Sequence, residues 1–144
     1  MDILTAMKIS GSALKAERSR LNIASMNLAN ANTTRTMEGG PYRAKSVVFE
    51  AKPLDRDFGV ALQGAASRLR KVEVAEVVED QAPFREVYDP THPDADESGI
   101  VLYPNVNVAE QMVDMMNARR SYEANVAALD AVKEMAARAM DISR

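Results

Sequence analysis

The stretch Asn105–Arg144, NVNVAEQMVDMMNARRSYEANVAALDAVKEMAARAMDISR, contains neither glycine nor proline. From Val108 an apolar residue returns every seventh position, at Met115, Tyr122, Leu129 and Ala136. Met112, Val126 and Met140 widen this stripe, as do Ala118, Val132 and Ala139 on its other flank. A sustained seven-residue spacing is a helix period, and it favours a supercoiled seam against other helices. Asn107 stands where an N-cap is expected, with Glu110 three residues later, close to a capping box. At ~1.5 Å per residue, a helix from Val108 to Ile142 is roughly 50 Å long, whereas a domain of this size is about 30 Å across. Much of the stripe overhangs a globular body and needs a partner. Arg119 and Lys133 interrupt one flank of the seam and Asn125 the other. Either the seam drifts past them, long basic stems covering apolar surface, or they set register.

A second helical stretch occupies residues 2–30. Met7, Leu14, Leu21 and Leu28 repeat every seven residues, with Lys8, Lys15, Glu17, Arg18 and Arg20 mostly off that line. Gly11, between Ser10 and Ser12, weakens the second to third turns or admits another helix closely. The expected helix runs from about Ile3 to Leu28. It leads into Asn27-Leu28-Ala29-Asn30-Ala31-Asn32-Thr33-Thr34, where asparagines alternate with small apolar residues. Asparagine tolerates the left-handed conformation that stops a helix, and Asn and Thr side chains bond nearby backbone. Asn27, Asn30, Asn32, Thr33 and Thr34 therefore predict a structured turn.

All six prolines and five of the six glycines fall between Gly39 and Pro104. Strand-like runs lie at Ala44–Ala51, Lys71–Val78, Arg85–Tyr88 and Ile100–Tyr103, with a loop expected over Gly59–Arg70. The predicted fold class is α+β: long N- and C-terminal helices packed as an antiparallel coiled-coil-like pair, with a small β-rich insert between them. The expected domains are 1–35 and 105–144, forming a helical core, and 36–104, the insert. Packing and assembly are assigned to Met7, Leu14, Leu21, Leu28, Val108, Met112, Met115, Tyr122, Val126, Leu129 and Val132.

Composition limits the function classes. Aromatic residues are only 5% and tryptophan is absent, so a large aromatic core is not expected. A net charge of −3 gives no general reason for nucleic-acid binding. The charge is uneven, however: residues 35–71 carry eight basic and four acidic side chains, residues 72–98 one and nine. That polarity could orient neighbouring subunits or simply mark solvated loops. There is no cysteine for a disulfide or a thiol nucleophile. No run approaches the ~20 apolar residues of a membrane span, and the amino terminus lacks the form of a cleavable secretory signal.

The polar stretch Tyr88–Gly99 holds the only histidine, His92. Read as a calcium loop, Asp94, Asp96, Ser98 and Gly99 match its first half, but the twelfth position is Asn105 rather than glutamate. One histidine among carboxylates is also short of a zinc set. Ser98, His92 and Asp89 lie too near each other in sequence to be placed as a triad. The expectation is a proline-pinned loop with local Asp turns, no catalytic residues, no metal and no cofactor.

The segment Leu21–Thr36, LNIASMNLANANTTRT, resembles the amino-terminal signature of bacterial flagellar rod and hook proteins. Asn27, Leu28, Ala29, Asn30, Asn32, Thr33 and Thr34 carry the match. Tyr88-Asp89-Pro90, His92-Pro93-Asp94-Ala95-Asp96, Gly99 and Tyr103-Pro104-Asn105-Val106-Asn107 narrow it to the proximal-rod proteins. Glu110–Met115 and Ala118–Asn125 are similar as well; Lys52–Arg70 is the least specific part. The resemblance implies a structural subunit of the basal-body rod that is not an enzyme. Its partners would be other rod proteins and copies of itself, in a helical assembly crossing the periplasm. Export would use the flagellar type III apparatus, without a cleaved signal and without membrane insertion. The competing readings are another rod subunit of the same family, or a soluble coiled-coil module that clasps one partner and stops.

Overall fold

Proline is missing from both ends of the chain, and both ends fold as long helices. In the computed structural model, which describes residues 3–54 and 69–142, α1 spans Ile3–Ala29 and α2 spans Val108–Ile142. Asn107 caps α2: its Oδ1 accepts from the backbone N–H of Ala109 at 3.1 Å and of Glu110 at 3.4 Å. The return bond from Glu110 is not made, so half of the box forms. The end of α1 differs from the sequence expectation. No described non-glycine residue has a positive φ, so no left-handed asparagine stops this helix. Instead Asn30 closes it by bonding the Met26 carbonyl twice, through its backbone N–H at 3.1 Å and its side-chain amide at 2.9 Å.

Between the helices lie β1 (Lys45–Pro53), β2 (Arg70–Glu79), β3 (Arg85–Tyr88) and β4 (Ile100–Tyr103). These are the four expected strands, paired as two two-stranded sheets, β1 with β2 and β3 with β4. Backbone bonds from Leu54 to Leu69 and from Asp80 to Ala44 bracket the first sheet and make it antiparallel. The expected loop over Gly59–Arg70 lies mostly outside the described residues; Arg70 itself opens β2. The β3–β4 hairpin pairs Arg85 with Tyr103, Glu86 with Leu102, Val87 with Val101 and Tyr88 with Ile100. Val101, at its centre, is fully buried.

Gly99 makes this hairpin possible. Its φ is +76°, and a Cβ there would sit 3.0 Å from Tyr88 Cε2 and 3.1 Å from Pro90 Cβ. Gly99→Ala should therefore destabilise the chain by about 1–3 kcal/mol, read as a lower thermal midpoint. An unchanged midpoint would show that the loop relaxes freely. Gly11 is the opposite case: a Cβ there meets nothing within 4 Å, yet glycine costs a helix interior ~1 kcal/mol.

The chain forms two compact units, one from residues 1–19, 48–76 and 118–144, the other from 20–47 and 77–117. In the second, Arg20 bonds Asp114 at 2.9 Å and Asn27 bonds Gln111 at 2.9 Å. The later residue of α1 meets the earlier residue of α2, so the helices pack antiparallel there. In the first unit the Ser12 hydroxyl accepts from the Val72 N–H at 3.2 Å, tying α1 to β2. The buried apolar set is mostly small: Ala16, Ala24, Ala31, Ala44 and Ala118 join Tyr42, Leu54 and Val101. A core dominated by alanine lets backbones approach closely but buries little apolar area per residue.

Candidate assembly site

Asn27 joins both helices and the start of the insert. It is 1% exposed, and each of its side-chain hydrogen-bonding positions is filled. Nδ2 donates to the Lys45 carbonyl at 2.7 Å and to Gln111 Oε1 at 2.9 Å. Oδ1 accepts from the Lys45 N–H and from the Tyr42 hydroxyl, both at 2.9 Å. A buried amide so satisfied avoids the desolvation penalty that would otherwise exclude it. Burial pushes the Tyr42 phenol above its ordinary pKa, and the Glu79 carboxylate adds to the shift. The phenol accordingly keeps the proton it gives to Asn27.

The rest of the turn follows from short-range bonds. The Thr33 hydroxyl donates to Asn30 Oδ1 at 3.1 Å, and its carbonyl accepts the Tyr42 N–H at 3.1 Å. The Thr34 hydroxyl reaches Asp94 Oδ2 at 2.8 Å, clamping the turn to the β3–β4 loop. Asn32 is exposed and makes no bond among the described residues. Asn105, which sequence reasoning left out of the site, matters as much. Its Oδ1 accepts the Ala44 N–H at 2.9 Å while its amide spans the Asp80 and Ala82 carbonyls, both at 3.4 Å.

The Tyr88–Gly99 loop uses its polar groups locally. Asp89 Oδ1 accepts from the Thr91 hydroxyl at 2.7 Å and the Thr91 N–H at 3.1 Å; these bonds hold its carboxyl below the usual range. Asp96 Oδ1 accepts from the N–H groups of Ser98 and Ile100. His92 Nδ1 accepts from the Asp94 N–H at 3.1 Å. The ring stands edge-on to Tyr103, with centroids 6.2 Å apart. Among the described residues no three His, Cys, Asp or Glu side chains converge as a metal set.

The apolar stripes divide into inward and outward parts. Met7, Leu14, Leu21 and Leu28 are half-buried, as are Met115, Tyr122, Leu129 and Val132. The deepest positions of α1 are instead Thr5, Ala16, Ala24 and Asn27. On α2 the half-buried line continues through Gln111 and Asn125 to Ala136, and Ala118 is fully buried. Asn125 bonds the Ser121 carbonyl of its own helix at 2.8 Å, and Arg119 pairs with Glu123. The flank of Met112, Val126 and Met140 faces solvent, as does Val108. Met116, at 67% exposure, and Val113 were missed, although Val108, Met112 and Met116 form an i, i+4, i+8 ladder legible in the sequence.

Part of the charge polarity is met within the chain. Lys45 pairs with Glu79, Lys52 and Lys71 with Glu73, and Arg35 approaches Asp94, so the basic run meets the acidic one. Among the described residues no helix is long and apolar enough to cross a membrane.

Two family models match the chain: Flagella basal body rod protein over residues 7–35, and Flagellar basal body rod FlgEFG protein C-terminal over residues 97–142. Flagellar basal-body rod protein FlgC of Escherichia coli O6:H1 is 47% identical over 135 residues, covering 94% of this chain and 93% of its own. The chain belongs to the FlgC family of flagellar basal-body rod proteins. The FlgC of Bacillus subtilis strain 168 is 39% identical across the full length of both chains. That of Borreliella burgdorferi is 36% identical over 94% of this chain and 93% of its own. The Asn27 turn falls within the first matched segment, and the α2 ladder within the second. In this FlgC-family chain the two matched ends are therefore the ones that Asn27 and Gln111 tie together.

Proposed function

We propose that the chain is a structural subunit of the proximal rod of the flagellar basal body, assembled helically through its terminal helices. Residues 1–35 and 105–144 act as the helical core domain and 36–104 as the insert domain. Neighbours are other rod proteins and further copies of this chain, within a rod crossing the periplasm. The observation that carries the reading is the exposed ladder Val108, Met112 and Met116 on a helix whose other side is already engaged. An apolar face of that kind is buried by association, and family membership supplies the setting. Tagged full-length protein should co-purify with basal bodies and map to the rod. Its absence from intact basal bodies would overturn the proposal.

The family setting also implies delivery by the flagellar type III export apparatus, with an uncleaved signal in the first residues. Deleting residues 2–25 should leave the protein in the cytoplasm at normal abundance. Normal export of the shortened chain would place the address elsewhere.

A further inference from the structure

α1 also carries a line of exposed side chains that form no ion pair among the described residues. Leu4, Lys8, Gly11, Lys15 and Arg18 alternate at steps of four and three, all exposed except half-exposed Gly11. This spacing makes one line along the helix, roughly a third of a turn round from the buried line of Thr5, Ala16 and Asn27. Lys8, Lys15 and Arg18 form no ion pair among the described residues. The same line holds the glycine whose side is open to solvent and whose backbone needs no positive φ. No described residue requires glycine at that position, although it weakens the helix. A gap between cations fits an occupant with one large side chain flanked by carboxylates.

The chain itself supplies such an occupant. Tyr88 is 74% exposed, on the β3–β4 face that also carries Glu86 and exposed Leu102. Glu86 and Glu97 have no ion pair among the described residues. We propose that the Lys8–Gly11–Lys15 face of α1 docks a second copy of this chain, the Tyr88 edge of its hairpin filling the gap at Gly11. Charge complementarity selects this partner. The compact unit holding the α1 face has thirteen basic and eleven acidic side chains, and the unit holding the hairpin has five and ten. The contact is heterologous, since different surfaces meet, and it leaves both outer surfaces free to repeat. It rests on the rod reading and names one contact within it.

The natural chain has no cysteine, so introduced thiols report alone. Full-length Lys15→Cys and Tyr88→Cys chains, carrying different tags, are co-produced in place of the natural protein, and purified basal bodies are treated with a short bis-maleimide. The expected product is a dimer bearing both tags, at least about tenfold above either variant alone. Equal dimerisation of Lys15→Cys by itself, a link to another rod protein, or no link in basal bodies holding both variants would overturn the contact. In a second arm, Lys8→Glu with Lys15→Glu should remove the protein from basal bodies, and adding Glu86→Lys with Glu97→Lys to the same chain should restore it. Failure to restore a chain that is exported normally, with the thermal midpoint unchanged, also overturns the contact. Absence of the natural protein from basal bodies would instead remove the rod reading on which the contact rests.

Discussion

Asn27→Ala should lower stability by about 3 kcal/mol, seen as a fall of roughly 10 °C in thermal midpoint. The loss combines four hydrogen bonds with the buried groups they leave behind: the Tyr42 hydroxyl, the Gln111 side chain and both backbone groups of Lys45. Tyr42→Phe removes only one of those bonds and should cost nearer 1 kcal/mol. Equal effects from the two changes would mean that Asn27 is not the centre of the junction. The junction should also respond to alkali. Folded Tyr42 holds its proton to a higher pH than the unfolded chain does. Its contribution is complete below about pH 10 and is lost as pH rises through the raised folded value. The gap between the natural chain and Tyr42→Phe should therefore close above that range.

The larger effect on function is expected at Met112 and Met116. Both are exposed, so Met112→Asp with Met116→Asp should leave the midpoint of the purified chain within about 0.5 kcal/mol. The same pair should abolish incorporation into basal bodies, and motility with it, because a carboxylate on a face buried by association is costly to desolvate. Leu129→Asp is a mixed case. Leu129 is half-buried in the lone chain, so its loss of assembly should come with loss of stability, while exposed Asp130→Asn should be silent. Motility and basal-body content at matched protein levels decide the matter. Normal rods with Met112→Asp and Met116→Asp would place the interface on another face.

Local rules carried the sequence reading a long way. The absence of glycine and proline over Asn105–Arg144, with Asn107 as cap, placed α2 at the bounds observed. Alternating and β-branched runs located four strands, and the β3 and β4 bounds were those expected. These features depend on spacings of a few residues, which a linear chain displays directly. Which side of each helix turns inward was not legible in the same way. Large apolar residues marked a line through Met7, Leu14, Leu21 and Leu28, yet the deepest positions are Thr5, Ala16, Ala24 and Asn27. Close helix approach selects for small side chains there, and that geometry exists only once two elements meet.

The turn shows the same division. Its asparagines and threonines announced a structured end to α1, but not that Asn27 would bond Tyr42, Lys45 and Gln111. Nor did they announce that Thr34 would reach Asp94, sixty residues away. The sequence alone determined the helices, the strands, the turn and the resemblance to rod proteins. The tertiary structure decided which polar groups are joined across long separations and which apolar faces remain outside, because a partner's position is a property of the folded chain and not of its spacing.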